Sequence, residues 1–465
     1  MIRSLSVPHS TSLGDRYILA LSCVLLGYAM IGKGFAYLGL PPLFIGEIAL
    51  LAGFVVVLRT GCLVAALATL PSLVLAATMI WVLLRTLPYV GAYGFDALRD
   101  SVVIMYGGFA FVIIALLLED GRRINSMLRS FGAFLSIYGP TIPFIYALHH
   151  YMANYVPNWP GYNVPVLEIR SGEIAVHLTG AALFVLVGFR KVSSLWILFV
   201  LAGMMMASVS SRGALLAIVL PIIFAVLVLG KLRELALVIV VGLAIFATAY
   251  AVETTFRDRR EARASSERSL SAQQIVDNVV SIVGQGGEQT EGTKTWRLEW
   301  WNIILANTMF GPNFWTGRGF GLNLADADGF RDGDHPDLPA LRSPHNVHMT
   351  MLARAGVPGA ALWLGFLTSW FAMMMHAMLT ARRHGQTEWA GLFLFASCYA
   401  ASFVINASFD VALEGPMQGI WFWCLIGFGI GTTMIYRYMQ DNCLWKARLG
   451  RQLLPARARR GLPPA

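Results

Sequence analysis

The feature that most constrains this chain is a series of apolar stretches, each close to twenty residues long. A helix of about that length crosses the hydrocarbon core of a bilayer, because each residue adds about 1.5 Å along the helix axis. Hydrophobic residues make up 57% of the 465 positions and charged residues only 13%, whereas soluble domains carry about 25% charged residues. The chain is therefore predicted to be an all-α polytopic membrane protein.

Twelve segments are predicted to be transmembrane helices. They lie near 17–36, 42–58, 62–84, 101–118, 127–148, 174–189, 194–210, 213–229, 234–252, 346–378, 388–406 and 417–436. No small-residue cleavage site ends the first segment, so it is not predicted to be a removable signal peptide. The resulting organisation is transmembrane helices over 1–251, one long polar loop over 252–345, transmembrane helices over 346–436 and a basic tail over 437–465.

The net charge of +9 is explained by membrane orientation. With the N-terminus inside and alternating spans, the inward loops hold most of the lysines and arginines, including Arg122, Arg123, Arg190 and Lys191. Cytoplasmic loops are enriched in these residues, and anionic lipids attract them. Both termini are therefore predicted to be cytoplasmic and the long loop extracytoplasmic, with membrane lipids as partners and no nucleic acid.

The long loop 252–345 is long enough to form a small cap over the membrane. Its first part, 258–284, has apolar residues at roughly helical spacing, and 284–295 is predicted to be a flexible break. Residues 296–310 are predicted to form an amphipathic helix rich in aromatic residues that lies against the membrane surface. A glycine-punctuated turn follows at 317–321.

No metal site is predicted. The aspartates Asp326, Asp328, Asp332, Asp334 and Asp337 do not match a calcium-binding loop, which ends in a glutamate. His345 and His348 would share one helix face, but no third zinc ligand is evident. The five cysteines lie outside 252–345, so neither a disulfide framework nor a thiolate cluster is predicted there.

Arginines on the outer side are candidates for binding an anion, because a guanidinium makes bidentate contacts to phosphate oxygens. Arg212 lies in a tight turn between two spans, and Arg297 opens the aromatic helix beside Trp300 and Trp301. Arg318 lies in the glycine turn, whose backbone amides would also be available to an anion. The alternatives are an arginine that snorkels to the interface at 212 and a surface ion pair at 297.

Further outward positions complete the candidate set. Arg170 precedes a span, where a solvated loop charge is the alternative. His345 and Asn346 follow Pro344 at the start of another span, where a histidine is well placed to exchange protons with a hydroxyl group, although a lone histidine is often structural. Asp410 and Glu414, in the last outward loop, would orient an arginine or the histidine, or else cap the adjacent helices.

Together these segments resemble the O-antigen ligase and polymerase family of bacterial envelope glycan transferases. The matching segments are Ser211–Ala214, Arg297 with its tryptophans, Gly317–Gly321, Pro344–Asn346 followed by Gly356–Gly359, and Phe409–Pro416. Their order and topology carry the resemblance, which covers roughly 200–420.

The resemblance implies a polytopic architecture like that of GT-C glycosyltransferases, with the long loop above a lateral cavity. It also implies transfer of a glycan from a polyprenyl (undecaprenyl) diphosphate carrier to an acceptor hydroxyl at the periplasmic face of the bacterial inner membrane. His345 would be the general base, and Arg212 and Arg297 would hold the diphosphate. Substrate contacts would come from Arg170, Arg318, Asn346, Trp300 and Trp301, and neither a cofactor nor a metal would be required.

The acceptor distinguishes two activities within this family. A ligase uses a lipid-anchored core sugar or a protein, and a polymerase of O-antigen or exopolysaccharide uses the next carrier-linked repeat. The outward loop 149–173 holds a single arginine, which favours a ligase. A solute or anion transporter and a lipid-linked glycan flippase are alternatives of another class. They predict paired broken helices or charges within the spans, and we identified only Glu47 as such a charge.

Overall fold

The computed structural model describes residues 12–59, 61–152, 155–233, 288–330 and 342–453, with a few positions between 236 and 248. Side chains are described from Thr295 in the fourth of these segments and up to Asn442 in the fifth.

The described chain is nearly all helical. Its helices are α1 (Leu13–Ile31), α2 (Ile45–Leu58), α3 (Leu70–Tyr93), α4 (Phe95–Met105), α5 (Gly108–Glu119), α6 (Arg123–Met152), α7 (Ser171–Leu186), α8 (Ser194–Ser210), α9 (Arg212–Leu229), α10 (Glu288–Thr308), α11 (Leu324–Asp328), α12 (Val347–Arg383), α13 (Thr387–Ala407) and α14 (Pro416–Leu453). Two short antiparallel strands, β1 (Gly39–Leu40) and β2 (Leu43–Phe44), form the only sheet in the described segments.

Seven helices are long and apolar enough to cross a membrane: α1, α3, α6, α9, α12, α13 and the Pro416–Asn442 part of α14. The bent pair α4 and α5 would add an eighth, and α2, α7 and α8 are shorter apolar helices. The protein is thus a polytopic membrane protein, as predicted. Each predicted span except 234–252 overlaps one of these helices, and most of 234–252 lies outside the described residues. The count of twelve therefore stays a prediction.

Two predicted boundaries were wrong for local reasons. The third span begins at Leu70 and not near 62, because the Thr69 hydroxyl accepts a hydrogen bond from the Ser72 backbone N–H and caps the helix there. The predicted flexible break at 284–295 is helical from Glu288 onward, since α10 begins at that residue. The predicted helix at 258–284 lies outside the described residues.

Helices α5, α13 and α14 form the buried centre of the membrane part. Every residue of α5 from Gly108 to Leu117 is buried, and α13 and the first part of α14 are almost completely enclosed. Aromatic rings interlock in this core, as where Phe366 and Trp423 lie 5.4 Å apart between ring centroids.

The described part of the long loop packs on the first part of α12. Trp300 and Ile304 of α10, Leu324 of α11 and Ala353 of α12 form a small apolar cluster separate from the main core. Because Trp300 is completely buried, this face of α10 packs against protein. The prediction that the aromatic helix lies against the membrane surface is therefore wrong for that face.

Candidate active site

The first residues of α7 and α9 meet the end of α13 and the loop that follows it. Each contact requires a glycine: a β-carbon on Gly172 of α7 would lie 2.4 Å from Oδ1 of Asn406, and one on Gly213 of α9 would lie 2.7 Å from Cβ of Phe409. Arg170, which precedes α7, and Arg212, which opens α9, therefore both begin helices beside this loop.

His345 lies at the same place, immediately before α12. Among the described residues it is the only non-glycine with a positive φ, 53°, a conformation that costs a β-carbon-bearing residue about 1 kcal/mol or more. Its Nδ1 lies 3.5 Å from Oδ1 of Asp410, and the two side chains are 21% and 27% exposed. The ring of Trp296 is 6.2 Å away between centroids. The imidazole is thus held against a carboxylate while remaining accessible.

Asp410 connects His345 with a predicted arginine. Its Oδ1 lies 4.0 Å from Nη1 of Arg170. Burial raises the pKa of this carboxyl, but contact with His345 and the charge of Arg170 outweigh burial, so its pKa lies below the usual value. Asp410 is therefore an anion between two groups that it attracts.

Arg212 and Arg297 are far from His345 and Asp410 in sequence, but each is next to a residue that packs beside this pair. Arg212 is the first residue of α9, after Ser211, whose hydroxyl accepts from the Ala214 backbone N–H and caps the helix. Arg297 follows Trp296, whose ring contacts His345. Both residues are half-buried. The structure places the two arginines on elements that border His345 and Asp410, and their roles toward a substrate stay predictions.

Three other predicted contact residues take part in contacts within the protein. Both Nη atoms of Arg318 bind Asp328, at 2.7 and 3.1 Å, and Trp300 Nε1 donates to the same carboxylate at 2.8 Å. Trp301 Nε1 donates to the Pro344 carbonyl at 3.0 Å. These contacts tie α10 and α11 to the segment that carries His345. Direct contact of these side chains with a substrate remains a prediction.

The glycine turn supports a broken helix. The φ of 71° at Gly356 interrupts α12, which leaves carbonyl groups of its first turns without intrahelical donors. The backbone N–H of Arg318 donates to the Ala353 carbonyl at 2.8 Å, and the backbone N–H of Gly319 donates to the Arg354 carbonyl at 3.0 Å. The expectation that these amides are available to an anion is therefore wrong, because helix carbonyls already accept their hydrogen bonds.

Asn346 caps α12. Its Oδ1 accepts from the backbone N–H groups of His348 and Met349, at 2.9 and 3.2 Å. Such a cap gives the backbone N–H groups of the first helical turn an acceptor, which the helix itself does not provide. Any contact of Asn346 with a substrate would therefore involve its amide nitrogen.

Both ring nitrogens of His348 have hydrogen-bond partners within the protein. Trp363 Nε1 donates to its Nδ1 at 3.0 Å, and its Nε2 lies 3.1 Å from the Ser408 hydroxyl. An indole nitrogen can only donate, so Nδ1 is the acceptor and Nε2 carries the hydrogen. His348 is thereby fixed as a neutral imidazole, and His345 is the histidine suited to proton transfer.

A buried ionic cluster was missed by the sequence reasoning. Asp100 of α4 accepts from Nη2 of Arg342 and from Nη2 of Arg354, both at 3.0 Å, and from the Gly321 N–H at 3.2 Å. Arg354 is completely buried. The available signal was an arginine inside a predicted span, which is costly and marks a specific role. The cluster anchors both sides of the segment containing His345.

Glu414 links the loop between α13 and α14 to α12. The Thr350 hydroxyl donates to its Oε1 at 2.8 Å. Burial raises the pKa of this carboxyl above the usual value, although the Thr350 hydrogen bond and the charge of Arg354 oppose the shift. Glu414 thus contacts the helix start rather than His345.

No group of three or more potential metal ligands occurs among the side chains that the structure describes. Asp332, Asp334 and Asp337 of the acidic run lie outside those residues. Cys23, Cys62, Cys398 and Cys424 are free thiols.

Comparison with known proteins agrees with the resemblance in the sequence. A family model described as O-Antigen ligase matches residues 196–364. The match runs from α8 into α12 and contains Arg212, Arg297 and His345, whereas Arg170 and Asp410 lie outside it. No curated protein matches the chain.

Proposed function

We propose that this protein transfers a glycan from a polyprenyl diphosphate carrier to an acceptor hydroxyl. The proposal rests on the match of residues 196–364 to a family model described as O-Antigen ligase. The match supports glycan transfer of the ligase or polymerase kind. The donor, the acceptor and the residue roles below are the parts that we propose. The reaction would take place at the extracytoplasmic face of the bacterial inner membrane, where the outer ends of α7, α9 and α12 meet.

The contact between His345 and Asp410 is the observation that supports the mechanism most directly. With Asp410 beside Nδ1 at 3.5 Å, the carboxylate favours the tautomer that carries hydrogen on Nδ1. The Nε2 lone pair then accepts the proton of the acceptor hydroxyl, and Asp410 stabilises the imidazolium that forms. The positive φ of His345 is also typical of functional sites, where the surrounding structure holds a residue in a strained backbone conformation.

Arg212 and Arg297 would act on the leaving group. As the acceptor oxygen forms its bond to the anomeric carbon, the bond from that carbon to the diphosphate oxygen breaks. The diphosphate leaves with the electron pair, and the two guanidinium groups neutralise the charge that develops. A single displacement of this kind inverts the anomeric centre. Energy stored in the diphosphate linkage drives the transfer, so neither a metal nor a cofactor is needed.

The test of the general base is His345→Ala, measured as glycan transfer by purified protein with a carrier-linked donor. We expect at least about a hundredfold loss of transfer, since a general base contributes about 10² to 10⁴ in rate. His384→Ala is the matched control, because His384 is exposed at the opposite end of α12. Transfer that survives His345→Ala in folded protein would exclude His345 as the base.

A ligase and a polymerase are distinguished by the glycans of a deletion strain. Full-length chains retained on the carrier lipid would indicate the ligase that we favour, and single unpolymerised repeats would indicate a polymerase. Normal glycans would argue against both activities and would restore the transporter alternative.

A further inference from the structure

A crevice lies at the opposite end of the membrane helices from His345. It has a volume of about 940 Å³ and is bordered by the beginning of α6, the end of α7 and the beginning of α13. Helix α13 runs from this crevice to the His345 site over 21 residues, which is about 30 Å. Nothing in the proposed glycan transfer uses this crevice.

The crevice is lined by positive charge. Arg122, Arg129 and Arg190 border it, and Glu388 is the only acidic lining residue. Arg122 is paired with Asp120 at 2.8 Å. Within the described part of the chain, Arg129 and Arg190 have no carboxylate partner; instead Arg129 Nε donates to the Asn125 carbonyl at 3.3 Å, and Arg190 Nη1 donates to the Gly132 carbonyl. Two guanidinium groups that form no ion pair with a described residue thus border an open volume.

The deeper wall of the crevice is apolar or small. Gly132, Ala133 and Ser136 follow one another along α6, and Phe184, Val187 and Phe189 come from the end of α7 and the turn after it. The small residues leave open space along α6. Arginines at the helix ends and an apolar wall farther in match the order of headgroup and acyl chain in a bilayer.

We propose that this crevice binds one anionic glycerophospholipid. The phosphate diester would lie between Arg129 and Arg190, with Arg122 at the rim, and an acyl chain would follow the small residues of α6. Basic pockets between membrane helices accommodate such headgroups, and the volume falls within the range of about 300 to 1,000 Å³ for small-molecule sites. Orientation by the positive-inside rule explains basic residues at helix ends but requires no crevice between them.

The test is native mass spectrometry of the purified full-length protein with phosphatidylglycerol and phosphatidylcholine. We expect phosphatidylglycerol to bind selectively, and Arg129→Gln with Arg190→Gln to weaken it about tenfold or more, since each basic residue near an anionic lipid contributes to binding. Arg382→Gln with Arg383→Gln is the matched control, because it removes the same charge from exposed positions at the same helix ends. It should leave binding unchanged.

A second variant tests the apolar wall. Ala133→Trp should fill the space along α6 and abolish lipid binding while all three arginines remain, with unchanged size-exclusion behaviour as evidence of folding. Soluble glycerol 3-phosphate should bind far more weakly than phosphatidylglycerol. Equal binding of the two lipids, equal binding of glycerol 3-phosphate, or an equal loss in the Arg382/Arg383 control would each overturn the proposal.

Discussion

At the scale of single residues, two histidines three positions apart have different chemical environments. Both nitrogens of His348 are occupied by Trp363 and Ser408, whereas His345 has one carboxylate neighbour and an exposed edge. The sequence placed both at a helix start. Only their contacts show that one of them is suited to exchange a proton.

The geometry of a guanidinium leads to a prediction for Arg212 and Arg297. Arg212→Lys and Arg297→Lys should each lower glycan transfer at least about tenfold, because lysine retains the charge but cannot make a bidentate contact to a diphosphate. Transfer rates and donor binding should be compared with those of Arg382→Lys, whose exposed side chain lies at the opposite end of α12. Wild-type rates in both site variants would instead indicate snorkelling or surface pairing.

Glu414 leads to a prediction about pH. Since the pKa of its carboxyl is raised above 4.5 in the folded protein, the neutral form favours folding, and this contribution is lost as pH rises through the raised value. Glu414→Gln retains an acceptor for Thr350 without the ionisation. Its melting temperature relative to wild type should therefore increase as pH rises from 4.5, measured by thermal unfolding in detergent.

The contribution of Asp410 to stability has the opposite pH dependence to that of Glu414. Its lowered pKa means that its contacts with His345 and Arg170 stabilise the fold above pH 3.8 and are lost as the pH falls below that value. A difference between Glu414→Gln and wild type that shrinks with rising pH would contradict the role assigned to Glu414.

At the scale of elements, the break in α12 positions the site. The first segment of α12 ends at Gly356, and the turn containing Gly317 and Gly319 fills the break by donating to its carbonyls. Trp81 Nε1 of α3 donates to the Ala355 carbonyl at 2.8 Å on another side. The short helix that begins after His345 is thus fixed at both ends.

Gly356→Ala should destabilise the protein by about 2 kcal/mol or more. The φ of 71° disfavours a β-carbon, and that carbon would lie 2.7 Å from the Phe314 carbonyl oxygen. Gly365→Ala is the control in the same helix, since its β-carbon meets nothing within 4 Å and alanine favours a helix by up to about 1 kcal/mol. The free energy of unfolding, measured by chemical denaturation, should be lower for Gly356→Ala than for Gly365→Ala. Equal values would show that the break in α12 tolerates a side chain.

At the scale of the whole molecule, the charges predict an orientation. A cysteine at Phe310, which is 84% exposed, should react with a membrane-impermeant maleimide in intact spheroplasts. A cysteine at the exposed Glu388 should react only after permeabilisation. The two positions lie at opposite ends of the helix bundle, so labelling of Glu388→Cys in intact spheroplasts would contradict the predicted orientation.

The sequence predicted the elements well because the cost of exposing backbone and charge to lipid requires long apolar helices. Eleven of the twelve predicted segments overlap described helices, and the family resemblance is confirmed by the match over 196–364. Helix starts were less predictable where a single cap, such as Thr69, determines them. The sequence also nominated Arg212, Arg297 and His345, because the order of short motifs can be read without any knowledge of packing, and their roles stay predictions.

By itself, the sequence determined that this chain is a polytopic membrane protein, and it predicted that the candidate chemistry lies at one membrane face. Tertiary structure decided which polar groups are already used within the protein. Arg318 binds Asp328, Asn346 caps a helix, and the glycine-turn amides bind the carbonyls of a broken helix. The physical reason is that a polar group is available to a substrate only if no neighbour satisfies it. Those neighbours come from distant positions, as Asp100 and Arg354 do.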